Sequence, residues 1–134
     1  MLHKLNKRGG GFTLVEIMIV VAIIALLTAI AVPNFLRAGK RSQATRILQD
    51  LRVIDAAIDQ YAIETGKANG FALNWSDVKT YIKTGTKAFN SGGTDLLGGT
   101  FAGFTVDAAP KLHTATYNKL SDVAPAGFWS PFYP

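Results

Sequence analysis

The sequence predicts an α+β protein: a long N-terminal α-helix, half of it apolar and half amphipathic, packed against a small head built on an antiparallel β-sheet. Three observations carry that prediction. Residues Ile17 to Leu36 form a run of twenty positions without a charge. Beyond it, Ile47, Leu51, Ile54, Ile58 and Tyr61 recur at spacings of 4, 3, 4 and 3, the apolar stripe of one helical face. The remainder, 66–134, is rich in Gly and Thr and sets short apolar runs between turn signals.

The apolar run would rise roughly 30 Å as a helix, enough to cross the hydrocarbon core of a bilayer. Pro33 lies inside it, lacks an N–H donor and crowds the carbonyl of Ala29, so the helix should kink or loosen just before it. Leu48 and Ala62 widen the amphipathic stripe that follows, and Arg46 and Asp50 form a favourable i,i+4 pair. Thr65-Gly66 supplies the end, with Gly66 as the left-handed cap residue. A helix over 12–65 would be roughly 80 Å long.

With 134 residues there is room for one small domain and an appended segment, and the 49% hydrophobic content is concentrated in the segment. The formal charge of +5 is unevenly placed. Lys4, Lys7 and Arg8 stand in the leader, and Arg37, Lys40 and Arg41 follow the apolar run, so the two basic clusters bracket it as topology and headgroup signals do. From Gly66 onward six Lys meet four Asp, and no Arg follows Arg52. Nucleic-acid binders concentrate cations with Arg forks and aromatics, so direct nucleic-acid binding is not predicted. Cysteine is absent, which excludes disulfides, thiol chemistry and Cys metal sites.

Glu16 is the residue that needs a reason. It stands at the head of the apolar run, where an ionised carboxylate costs about 2 to 4 kcal/mol unless it is paired. A plain transmembrane anchor fits the length of the run. A secretory signal peptide fits the basic leader and the small-residue pattern Ala29-Ile30-Ala31, although the run is longer than the usual apolar core. The third reading is a leader cut before the apolar run, with the run retained. It alone gives Glu16 a role.

Residues 1–65 closely resemble the leader and N-terminal helix of type IV pilins and type II secretion pseudopilins: a short basic leader, Gly11, then Phe12-Thr13-Leu14-Val15-Glu16, then the apolar run with Pro33. The resemblance covers about half of the chain. It implies that a prepilin peptidase cuts after Gly11 rather than Gly9 or Gly10, that the new amine of Phe12 is methylated, and that Glu16 becomes the fifth mature position. The domain organisation it implies is a leader 1–11, a transmembrane and polymerisation half-helix 12–36, an amphipathic half-helix 37–65 and a head 66–134. In a stack of subunits the Glu16 carboxylate would meet the terminal ammonium of Phe12 in a neighbour, turning two costly charges into one pair that sets register. The alternative is a Glu16 that snorkels to the headgroups. In the family part of the Pro33 region is extended in filaments, and a static kink is the alternative there.

The head is too short and Gly-rich to stand without the amphipathic stripe. Asn74-Trp75-Ser76-Asp77 reads as a helix start, followed by Val78, Tyr81 and Ile82 and stopped at Gly85. Asn90 to Thr94 and Gly98-Gly99 are turn signals. Gly103 to Val106 and Leu112 to Tyr117 read as strands, antiparallel across Asp107 to Lys111. The aromatic, Pro-rich tail Phe128 to Pro134 should be irregular and cover the sheet or the helix, with a subunit contact or adhesive patch as its sharper role.

No catalytic cast is present. His3 belongs to the leader and His113 stands alone, so neither a Ser-His-Asp triad nor a His metal cluster can be composed, and no phosphate loop follows the Gly pairs. Asp95, Asp107 and Asp122 could be gathered into a calcium site, as in some pseudopilins, but they read first as solvated turn residues, and no cofactor is expected. The expected function is therefore structural, not enzymatic: a pilin-like subunit polymerised as a helical homopolymer with related minor pilins. The resemblance implies a prepilin peptidase, an inner-membrane assembly platform and a motor ATPase acting at a distance. It also implies a single-pass precursor in the inner membrane, then an extracellular pilus or a periplasmic pseudopilus. The small head and the lack of cysteine depart from typical Gram-negative major pilins, and Gly66-Lys67-Ala68-Asn69 replaces the Gly-x-Tyr-Pro of major pseudopilins. A singly anchored or secreted binding module is the other class.

Overall fold

The computed structural model describes residues 11–134. The leader positions Lys4, Lys7, Arg8, His3, Gly9 and Gly10 lie outside the described residues. Five helices are described: α1 Leu14–Thr65, α2 Trp75–Lys79, α3 Lys87–Asn90, α4 Thr114–Leu120 and α5 Ala126–Trp129. The chain divides between Arg37 and Ala38 into two units, and α1 contributes to both.

In the first unit α1 is apolar all round and exposed. It is long and apolar enough to cross a membrane, and none of its most apolar stretch is buried. Helix assignment continues through Pro33, and the Thr28 hydroxyl donates back to the Ile24 carbonyl at 2.7 Å. Pro33 removes one donor without ending the helix.

In the second unit the stripe is buried as the spacing demands. Ala44, Ile47, Leu51 and Ile54 are fully buried, with Leu48, Ala57 and Ile58 nearly so, while Tyr61 and Ala62 pack against them. Full burial of an aliphatic side chain of this size is worth about 1.5–3 kcal/mol, so these positions dominate the head's core. The helix ends as expected: Gly66, at φ +65°, donates to Ala62 O at 2.9 Å. Two of the three cations following the apolar run turn to the head. Lys40 pairs with Asp122 at 3.0 Å, and Arg41 donates to the Val123 carbonyl at 3.0 Å and lies 5.5 Å from the Phe128 ring centroid. Lys40 and Arg41 therefore bind protein, where the sequence alone pointed to headgroups.

The head is not built on a β-sheet. Among the described residues there are only isolated antiparallel bridges, Ala72 with Thr105, Thr94 with Thr100, Ala102 with Lys111 and Thr105 with Ala108. Phe104 to Val106 pair mainly with the segment after α1: Leu73 donates to Phe104 O at 2.8 Å and Val106 to Phe71 O at 3.0 Å, while Thr105 also bridges Ala108. Pairing stops there because Gly103 and Asp107 both take positive φ, at 72° and 63°, and Pro110 has no N–H. A strand needs a longer run of extended residues than these breaks leave.

Leu112 to Tyr117, expected as a strand, contains the start of α4. His113 caps that helix, its Nδ1 accepting from Ala115 N–H at 3.1 Å. Leu112, Thr116 and Leu120 are buried at a spacing of four, the helical reading of residues that also alternate locally. Thr116 donates to Asp95 Oδ2 at 2.6 Å, while Asp95 Oδ1 accepts from Leu97 and Gly99 N–H at 2.8 and 2.9 Å. Asp95 is thus buried and fully bonded, not solvated as expected. A Cβ at Gly99 would collide with the Thr116 hydroxyl and the Asp95 carboxylate, so this turn requires glycine.

The shorter helices follow their signals. Asp77 accepts from Asn74 N–H at 3.0 Å at the start of α2, which ends at Lys79; Tyr81 and Ile82 continue only as a turn, and Gly85 has φ +82°. Thr86 caps α3, accepting from Phe89 N–H at 3.3 Å. The aromatic tail is only partly irregular, since α5 carries Trp129 into full burial and its indole N–H donates to Ala124 O at 3.0 Å. Phe132 is buried too, and its carbonyl accepts from Leu112 N–H at 2.9 Å. The tail covers the core; Tyr133 alone among its aromatics is largely exposed, edge-on to Tyr117.

Two expectations follow. Leu51→Ala should cost about 2–5 kcal/mol of head stability, whereas Ile24→Ala should change it by less than about 0.5 kcal/mol, read as thermal unfolding by near-ultraviolet circular dichroism in detergent. Burial holds the Asp50 carboxyl above its ordinary pKa, an effect that Asp95 reinforces and that Arg46 and Lys87 oppose. A carboxyl raised in this way binds its proton more tightly in the folded state, so its favourable contribution exists at acid pH and is lost as pH rises through the folded value. Asp50→Asn should therefore raise the melting temperature at pH 7, with the gain shrinking as pH falls through the raised folded value and gone below the ordinary carboxylate pKa of about 4.

Candidate functional site

The candidate site is the start of α1. Gly11 and Phe12 precede the helix and are exposed, Phe12 to 80%, and apart from Gly11 and its chain neighbours no described atom lies within 4 Å of the point a Gly11 Cβ would occupy. The Gly11–Phe12 bond is therefore open to approach within the described residues.

Thr13 and Glu16 form a reciprocal capping box. The Thr13 hydroxyl accepts from Glu16 N–H at 3.2 Å, and Glu16 Oε2 accepts from Thr13 N–H at 3.2 Å. Ile17 N–H then donates to Thr13 O at 3.2 Å, the first turn of the helix. Thr-x-x-Glu ahead of an apolar run is the sequence signature of such a box, and Thr13 is the site residue that the sequence reading passed over. The box gives Glu16 a partner within its own chain. It also holds the carboxylate beside the helix N-terminus, where the helix dipole favours negative charge. An ionised carboxylate offers about four lone-pair positions, and one capping bond leaves most of them available.

Pro33 lies on the same exposed apolar stretch of α1, seventeen positions beyond Glu16, and no polar side chain of the site is brought to it. The site is thus Gly11, Phe12, Thr13 and Glu16, with Pro33 apart from it along the helix.

The three aspartates considered for calcium each have another partner. Asp95 is bonded as described, Asp107 accepts from Asn69 Nδ2 at 2.9 Å, and Asp122 pairs with Lys40. Among the described residues no group of three or more His, Asp or Glu side chains is arranged to hold a metal ion.

Residues 6–32 match the family model described as the prokaryotic N-terminal methylation motif. The chain is 41% identical over 71 residues to the type IV major pilin protein PilA of Myxococcus xanthus, a match covering 53% of this chain and 32% of that one. It is 39% identical over 66 residues to the type IV major fimbrial protein FimA of Dichelobacter nodosus, covering 49% and 41% of the two chains. To the type II secretion system core protein G of Klebsiella pneumoniae it is 31% identical over 61 residues, covering 46% and 44%. The matched part thus spans less than half the length of these relatives. No solved structure matches the chain. The junction from Gly11 to Glu16 accordingly lies within a match to the prokaryotic N-terminal methylation motif, on a half-chain similar to those of type IV major pilins and of a type II secretion system core protein G.

Proposed function

We propose that this protein is the structural subunit of a type IV pilus-like filament, cut by a prepilin peptidase after Gly11, methylated on Phe12 and assembled through α1. One observation carries the reading above others: a partnered carboxylate, Glu16, stands at the head of an apolar helix whose entire surface is exposed, while the same helix is the core of the head further on. An apolar surface of that extent needs lipid before assembly and neighbouring helices after it. In the polymer the Glu16 carboxylate pairs with the Phe12 ammonium of the next subunit and sets the register. Storage is as a single-pass protein of the inner membrane, and the energy for polymerisation comes from a separate motor acting through a membrane platform. Related minor pilins join the filament.

A second reading, a pseudopilus of a type II secretion system, is supported by the similarity to core protein G. The two share processing and the assembly chemistry at Glu16. They differ in where the filament ends, outside the cell or in the periplasm.

Intact-mass measurement of the protein from producing cells is expected to give a chain beginning at methylated Phe12; a mass beginning at Met1 or Val32 would make it an anchored or secreted module. Glu16→Val should be processed and inserted normally yet yield no filaments by electron microscopy, and wild-type filament yield in that variant would remove the pairing. In a deletion strain, loss of surface filaments with normal protein secretion assigns the pilus, and the reverse assigns the pseudopilus.

A further inference from the structure

Two cations just past the apolar run stand between two kinds of partner. Lys40 and Arg41 follow Leu36 by four and five residues, the place where basic side chains meet lipid headgroups when the run before them spans a bilayer. In the head unit both are turned to the segment 122–128 instead. Lys40 Nζ lies 3.0 Å from Asp122 Oδ2, Arg41 donates to the Val123 carbonyl at 3.0 Å, and the Arg41 guanidinium stands 5.5 Å from the Phe128 ring centroid.

These contacts are of a kind that an anionic surface can take over. The side chains of Lys40 and Asp122 are 45% and 51% exposed, and an ion pair so open to water holds its partners weakly. Arg41 gives its donor to a neutral carbonyl, whereas a phosphate would receive the planar guanidinium through two charge-assisted bonds. Arg37 and Arg41 are also four residues apart on α1, a like-charge spacing that a nearby anion relieves. Val123 and Ala124 are buried in the core, so losing the two cations loosens the segment without unfolding the head.

We propose that anionic lipid headgroups compete with Asp122 and the Val123 carbonyl for Lys40 and Arg41, so that the 122–128 segment is loosened while the chain is stored in an anionic bilayer and docks fully once the chain has left it. The inference rests on the membrane-stored precursor of the reading above. The lipid phosphate replaces the anion that Lys40 finds within the head, and Asp122 is repelled by the surface that takes its partner. The surface around Asp122 and Phe128 therefore differs between the stored chain and the assembled one.

The test uses the full chain reconstituted into vesicles of phosphatidylcholine alone or with phosphatidylglycerol, with amide hydrogen exchange read by mass spectrometry. The reporter is 121–129, where Val123 and Ala124 N–H donate to Leu120 O and Phe128 N–H to Pro125 O. Exchange there should be about tenfold faster with phosphatidylglycerol, while 47–58 is unchanged. Lys40→Gln with Arg41→Gln should exchange fast in both vesicles, with no difference between them. Asp122→Asn, which keeps both cations, should raise exchange in phosphatidylcholine towards the phosphatidylglycerol level. Equal exchange of the unaltered chain in both vesicles, or a lipid difference that survives in the double variant, would overturn the competition and leave membrane storage intact. Faster exchange at 47–58 as well would overturn a selective loosening. The same acceleration from inorganic phosphate, added to phosphatidylcholine vesicles at equal ionic strength, would overturn the lipid as the source of the anion. A chain that fails to float with either vesicle would overturn membrane storage itself.

Discussion

The head condenses on one face of α1. Ala44, Ile47, Leu51, Ile54 and Ile58 are the longest continuous apolar surface in the second unit, and Val78, Phe101, Leu112, Leu120, Trp129 and Phe132 are buried with them in a single cluster. Without that face the rest of the head would have a few short helices, isolated bridges and glycine turns. Such a collection buries too little apolar surface to offset the entropy of ordering its backbone. The second half of α1 is therefore the core of the domain it carries.

Polar contacts then decide which loops lie where. Asp95 collects two backbone N–H groups and the Thr116 hydroxyl, tying the Gly98-Gly99 turn to α4. A buried carboxylate with three donors is stable, and one left with fewer would be costly. Lys40 and Arg41 do the corresponding task for another segment, holding residues 122–128 on α1. The tail closes the core through Trp129, whose indole is bonded as well as buried.

At the helix start the same economy applies to Glu16. The capping box with Thr13 means that the carboxylate is never without a donor, even before a neighbour arrives. Its remaining lone pairs are the ones that an incoming ammonium would use. Within one chain, the capping box is the partner that the structure gives this charge.

What the sequence determined by itself is what depends on neighbours along one chain. The uncharged run, the stripe of Ile47 to Ile58 and the cap at Gly66 are periodic or local signals, and each was legible because helix hydrogen bonds join residues four apart. The stretch from Gly11 to Glu16 was legible as a contiguous motif, which the family-model match covers, and Thr13 was readable from the same stretch as half of a capping box. The tertiary structure alone decided the head. Leu112 to Tyr117 alternates like a strand, yet its helix wins because His113 caps it and Leu112, Thr116 and Leu120 reach the core at a spacing of four. Asp95 looks like any turn aspartate until Thr116, twenty-one residues away, donates to it. Lys40 and Arg41 sit where headgroup cations sit until the 122–128 segment folds onto them. Those outcomes rest on contacts between residues far apart in the chain, and no local pattern encodes them.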